Sequence, residues 1–210
     1  MHAVFTLLVV FTLILGSLAA RKGFYESNAK FDVISWSTQT QRESTKWIVF
    51  SQKQRLRVDF VDEAGKLGMT MSTVVDFPAN KQWVFVNGTC LVTSVEGVNP
   101  FTVDAFSEAE SLAPTFVNGR ASRIFGNVKQ TLMGPQTFLD KAQFAIDFFS
   151  GQPVQFWDQE TAFTFNSQED LREELLEQYT SVDEDSQALC HDATAADIQA
   201  LPFLFRRHKA

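Results

Sequence analysis

Apolar and polar residues alternate with a period of two along much of this chain, the mark of strands with one buried face. Between Gln54 and Asp62, Leu56, Val58 and Phe60 alternate with Arg55, Arg57, Asp59 and Val61, so one face is apolar and the other largely charged. Glu63-Ala64-Gly65-Lys66 reads as a turn, after which Met69, Met71, Thr73 and Val75 resume the pattern. Phe31-Asp32-Val33, Trp47-Ile48-Val49-Phe50 and Trp83-Val84-Phe85-Val86 are further short β-rich runs. Later, Phe144, Ile146 and Phe148 alternate ahead of Ser150-Gly151-Gln152-Pro153, and Val154 to Trp157 and Phe163-Thr164-Phe165 follow. The spacing predicts a meander of antiparallel strands. Between Asn99 and Pro135 the chain is punctuated by Pro100, Pro114, Gly119, Gly126 and Gly134, which predicts short strands and loops.

Helical periodicity enters only near the C-terminus. Ser167 suits an N-cap with Asp170 three residues on, and Leu171, Leu175, Leu176 and Tyr179 fall on one helical face. A shorter helix is expected from Thr194 to Leu201, stopped by Pro202. The fold class expected is therefore mainly β, with one or two helices near the C-terminus.

Composition sharpens this picture. A hydrophobic fraction of 45% and a charged fraction of 20% belong to a folded chain, not a disordered one. The net charge of −7 argues against a nucleic-acid partner, since the protein carries no cationic excess to meet a phosphate backbone. Phenylalanine is the outlier, with 21 residues against 2 tyrosines. Two readings of that excess stand: a plain Phe-rich core, or an apolar cavity walled by strands and open to a hydrophobic ligand.

The N-terminus bears on compartment. Ala3 to Leu15 is almost wholly apolar and Ser17-Leu18-Ala19-Ala20 is a small-residue stretch, so residues 1–20 are expected to be a signal peptide cleaved after Ala19 or Ala20. The apolar run is too short for a membrane anchor, and no later stretch reaches a bilayer-spanning length. Residues 21–210 are then expected to form a single β domain, secreted and without a membrane span. In an oxidising compartment Cys90 and Cys190, the only two cysteines, are most simply a disulfide. Free thiols or an intermolecular bridge are the competing readings. Asn87-Gly88-Thr89 is the only Asn-x-Ser/Thr sequon and falls where a hairpin turn is expected, so Asn87 is the candidate glycosylation site.

Catalytic chemistry finds few parts here. Beyond His2, only His191 and His208 remain, and the chain contains no Gly-x-Ser-x-Gly, no His-Glu-x-x-His and no phosphate-cradling loop. No enzyme is expected. Asp183-Glu184-Asp185 is the densest acidic cluster and a weak candidate for calcium, though its spacing is not that of an EF-hand. No other cofactor is indicated. If a cavity exists, Trp47, Trp83, Phe85 and Phe148 are the candidate wall residues.

Several of these features together resemble the ependymin-related secreted proteins. They are the leader, Gln54-Arg55-Leu56-Arg57-Val58-Asp59, Trp83-Val84-Phe85-Val86 running into Asn87-Gly88-Thr89-Cys90, and Gly151-Gln152-Pro153-Val154. The similarity covers most of residues 21–210, with fewer cysteines than that family commonly carries. It implies a fold like that of bacterial lipoprotein carriers, two stacked antiparallel sheets around a deep apolar pocket. It also implies hydrophobic or lipid-like ligands, an extracellular-matrix setting with calcium-dependent behaviour, and in some members a place in shell matrix. Two functions follow as expectations: a non-enzymatic glycoprotein binding a lipid-like ligand, or a structural matrix component whose acidic surface contacts calcium or mineral.

Overall fold

The strand predicted around Leu56, Val58 and Phe60 is the third of twelve in one hydrogen-bonded sheet. The computed structural model describes residues 28–37, 43–61, 71–95, 99, 101, 109–131, 138–157, 161–194 and 196–197. The expected signal peptide, the turn at Glu63 to Lys66 and the segment after Asp197 lie outside these. In chain order the strands are β1 (Asn28–Ser37), β2 (Glu43–Phe50), β3 (Arg55–Val61), β4 (Met71–Asp76), β5 (Lys81–Val86) and β6 (Thr89–Ser94). There follow β7 (Glu110–Val117), β8 (Arg120–Thr131), β9 (Phe138–Asp147), β10 (Pro153–Trp157), β11 (Thr161–Asp170) and β12 (His191–Asp192). Two helices, α1 (Glu173–Thr180) and α2 (Glu184–Ala188), stand between β11 and β12.

The sheet order is β12-β6-β5-β4-β3-β2-β1-β11-β10-β9-β8-β7, antiparallel throughout except where β12 runs parallel to β6. The architecture is mainly β, as the alternation predicts. The strands expected to divide between two sheets are continuous because β1 pairs with β2 on one side and β11 on the other. Tight hairpins keep neighbours in sequence adjacent in the sheet: Asn87-Gly88 and Asn118-Gly119 both hold positive φ, the backbone that a two-residue turn between twisted strands requires.

Two expectations change. Ser167 to Asp170 do not open a helix; they extend β11, because β1 reaches back far enough to pair with them, Ser167 opposite Asp32 and Asp170 opposite Ala29. The helix begins at Glu173, with Arg172 as its N-cap residue. The region between Asn99 and Pro135 holds more regular structure than its glycines and prolines suggest, including β8 with 12 residues. Gly126 is accommodated within β8 because the Leu112 side chain on β7 comes to 3.3 Å from where a Cβ would stand. Near Thr194, the predicted second helix is described only at its start. There the Thr194 N–H donates to Asp197 Oδ2 at 2.8 Å and the Asp197 N–H donates to Thr194 Oγ1 at 3.2 Å, a reciprocal cap.

Alternation divides the sheet into two faces. The inner face carries Phe31, Trp47, Leu56, Val75, Phe144 and Phe163 in one cluster reaching across both halves of the sheet. Twisted sheets of this width curl, which turns such a face inward. The outer face of β2 to β6 is covered by the C-terminal segment. Leu176 of α1 packs on Ile48 and Phe50, and Arg55 donates to Asp76 Oδ2 and Glu177 Oε1, each at 2.7 Å. Burial pulls the Arg55 guanidinium down, but its bonds to Glu177 and Asp76 outweigh this and hold it above its ordinary value. Among the described residues, no helix is long and apolar enough to cross a membrane.

The turn from β9 to β10 is closed by Asp147, whose Oδ1 accepts from Ser150 N–H at 2.8 Å, Phe149 N–H at 2.9 Å and Ser150 Oγ at 3.0 Å. The Ser150 N–H is the main reason that its carboxyl sits below the usual carboxylate range. A depressed folded-state value stabilises the fold above the unfolded value, about 3.9, and that contribution disappears as pH falls through the folded value. Asp147→Asn is expected to cost about 1 kcal/mol at neutral pH, allowing for solvent exposure. Thermal midpoints of the two proteins should converge in strong acid; a gap that persists there would show a steric origin instead.

Candidate functional site

On the inner face Trp47 stands among other aromatic rings. Its ring centroid lies 5.4 Å from that of Phe163 and 5.6 Å from Phe165, and Phe165 meets Phe31 edge-on at 5.6 Å. Phe144 and Phe156, 5.5 Å apart, extend the layer across β9 and β10. Such tilted and edge-on contacts suit the ring quadrupoles. The Trp47 indole N–H donates to Thr45 Oγ1 at 2.9 Å, and the Thr45 hydroxyl donates to the Val33 carbonyl at 3.3 Å, so these polar atoms are satisfied. At the edges of the layer Phe60, Phe77, Phe101 and Phe125 are only partly buried.

Thr73 and Gln82 join Ser35 and Thr45 as buried polar side chains on this face. Thr73 on β4 is 1% exposed and Gln82 on β5 is 0% exposed. The pairing of Thr73 with Val84 and of Val75 with Gln82 places both on the inner face as diagonal neighbours. Among the described residues, neither Thr73 Oγ1 nor the two amide atoms of Gln82 has a hydrogen-bond partner. A buried polar group left this way costs roughly 1–3 kcal/mol, so the pair is a concentrated penalty within a mostly apolar surface.

At the end of the sheet bearing the Asn87-Gly88 turn there is an open cleft of about 270 Å³. Arg57, Asp59, Ser72 and Phe85 line it from the outer side, and Phe60 and Met71 contribute from the inner side. Arg57 donates to Asp59 Oδ1 at 2.7 Å at this wall. Met71 precedes Thr73 by two residues on the same face, so the cleft adjoins the strand positions that lead to the unpaired polar side chains. Asn87 is exposed at its rim.

The residues singled out from sequence scatter. Trp47 belongs to the inner layer, whereas Trp83 and Phe85 point to the outer face, packed near Val74, Cys90 and Cys190. The reason is parity: Gln82, Val84 and Val86 oppose inward residues of β4, which leaves Lys81, Trp83 and Phe85 on the other side. Phe148 lies in the β9–β10 turn, 44% exposed, beneath the Arg123 guanidinium carbon at 4.4 Å. Cys90 and Cys190 are disulfide-bonded, with Cα atoms 4.5 Å apart. Asp183 caps α2, accepting from Ser186 N–H at 2.8 Å and Ser186 Oγ at 2.7 Å, which lowers its carboxyl. Glu184 and Asp185 lie in the first turn of that helix. Among the described residues no three His, Cys, Asp or Glu side chains are grouped to hold a metal ion. His191 is exposed on β12.

Sequence reasoning missed Gln82 and Thr73. The sequence shows only that Gln82 shares the parity of Val84 and Val86; that this parity faces inward is read from the pairing with β4.

No protein-family model matches the sequence, and no curated protein is similar to it in sequence. The ependymin resemblance therefore rests on its motifs alone. A solved structure shares the fold. An uncharacterized conserved protein from Thermus thermophilus superposes with a TM-score of 0.54 at 9% identity, over 87% of this chain and 99% of that one. MucB gives 0.42 at 11% identity, over 80% and 62%. A LolA superfamily protein from Nitrosomonas europaea gives 0.36 at 8% identity, over 75% and 93%. At 9% identity the first likeness speaks for the fold alone, and the other two scores are too low to argue from.

Proposed function

We propose that this chain is a secreted, non-enzymatic glycoprotein that binds a hydrophobic, lipid-like ligand against the inner face of its sheet. The observation that carries the reading is the aromatic layer around Trp47, whose edge rings Phe60, Phe77, Phe101 and Phe125 stay partly buried instead of closing over. The cleft beside Phe60 and Met71 supplies a mouth. Binding would draw on area burial, about 0.8 kcal/mol per methylene removed from water. Secretion is supported by the leader-like residues 1–20 and by a disulfide suited to an oxidising compartment. A glycan at Asn87 would sit at the rim of the cleft without entering the sheet.

Native mass spectrometry of the protein from its secreting source, with organic extraction of what accompanies it, tests this. A stoichiometric lipid, a mass lacking the first 20 residues and a mass loss on enzymatic deglycosylation are expected. An empty protein that also fails to take up fluorescent acyl lipids would overturn the carrier reading and leave the matrix role.

A further inference from the structure

A carrier that relied on apolar burial alone would fill its inner face with hydrocarbon. This one places Gln82 and Thr73 there, 0% and 1% exposed, with their side-chain hydrogen-bonding atoms unpaired among the described residues. Leucine or methionine would fill the space of Gln82 without that penalty. Thr93 lies opposite Gln82 on β6, and Thr73 stands diagonal to Gln82 on β4. Met71 and Phe60, opposite each other on β4 and β3, line the cleft itself next to Thr73, and the buried Val84 stands between Gln82 and that end of β5.

The chemistry of the pair defines what it can receive. A glutamine amide offers a donor and an acceptor, and a threonine hydroxyl offers both as well. The inward positions of β3 to β6 that surround them, among them Leu56, Val58, Val75, Val84 and Leu91, carry no charge. Arg123 belongs to β8 in the other half of the sheet, stacked on Phe148. A carboxylate or phosphate brought to Gln82 would thus be a buried charge without a counter-ion among the described residues of β3 to β6.

We propose that Gln82 and Thr73 are a headgroup subsite that selects neutral amphiphiles carrying both a hydrogen-bond donor and an acceptor, such as acylglycerols, over ionised lipids. This deepens the carrier reading and rests on it. The delipidated protein is titrated with three probes sharing one dodecanoyl chain: 1-monododecanoylglycerol, methyl dodecanoate and, at mildly alkaline pH, dodecanoate. The wild type is expected to bind the monoacylglycerol about tenfold tighter than the anion. Gln82→Leu and the near-isosteric Thr73→Val should each weaken the monoacylglycerol about tenfold and change methyl dodecanoate by less than about threefold. Thr73→Val guards against a folding defect in Gln82→Leu. If both folded variants bind all three probes as the wild type does, or weaken all three alike, the subsite is refuted while the carrier reading survives. If the wild type binds none of the probes, the carrier reading fails and the subsite with it.

Discussion

Removing the Cys90–Cys190 bridge is expected to cost several kcal/mol and to loosen the outer face before the inner one. The bridged residues are 100 apart in sequence, and closing a loop of that length constrains the unfolded chain by up to ~4.7 kcal/mol in the chain-entropy account. Against a typical total of roughly 5–15 kcal/mol, that is a large share. The bridge also has a local task. Cys90 sits on the outer face of β6 beside Val74 and Trp83, and Cys190 brings Val182 and the end of α2 onto the same cluster. Immediately beyond, β12 adds only two residues to the sheet edge, with Ala193 N–H donating to the Val92 carbonyl at 2.9 Å. So short a strand holds poorly without an anchor. The double variant Cys90→Ser, Cys190→Ser should unfold at a lower denaturant concentration than the oxidised protein. Hydrogen exchange should accelerate first at β12 and α2. Equal midpoints for the two proteins would show that the sheet edge holds by its own packing and that the bridge adds nothing.

The same outer cluster shows what the sequence made legible and what it did not. The strands around Leu56, Val75, Phe144 and Phe163 follow from alternation, because each has one face that packs and one that carries charge or polarity. In β5 both faces are covered, one by the inner layer and one by the disulfide segment, so Trp83-Val84-Phe85-Val86 reads as an unbroken apolar run. Periodicity in such a run cannot say which residues face inward. Only the register with β4 does so, and it sends Trp83 and Phe85 out and Gln82 in. The misplaced helix start has a comparable cause. Ser167 has the chemistry of a cap, yet its hydroxyl donates to Asp32 Oδ2 at 2.6 Å across the β1–β11 ladder. A long-range partner overrode a local preference. The candidate site suffered most, since it is made by residues whose meaning depends on pairing between strands.

Trp47 is where the two halves of the sheet are held together, and Trp47→Ala is expected to destabilise the protein by about 3–5 kcal/mol. The side chain is fully buried on β2, while its ring partners Phe163 and Phe165 belong to β11, with β1 lying between them. Truncation removes contacts with both rings and leaves a cavity in a layer whose neighbours, Phe31 and Val49, are themselves fixed by the sheet. Trp47→Phe keeps most of the volume but deletes the N–H that donates to Thr45, so a smaller loss, about 1–2 kcal/mol, is expected. A double-mutant cycle with Phe163→Leu decides whether the ring contact itself matters. Coupling of about 0.5–1.5 kcal/mol is expected from rings 5.4 Å apart. Additive losses would mean that Trp47 acts through volume alone and that the junction at β1 rests on its backbone ladder. The ligand reading adds a second readout to the same variants. If the aromatic layer is the binding surface, Trp47→Phe should weaken acyl-lipid uptake beyond what its small loss of stability explains. If uptake follows the folded fraction alone, Trp47 is a structural core residue and binding lies elsewhere on the inner face.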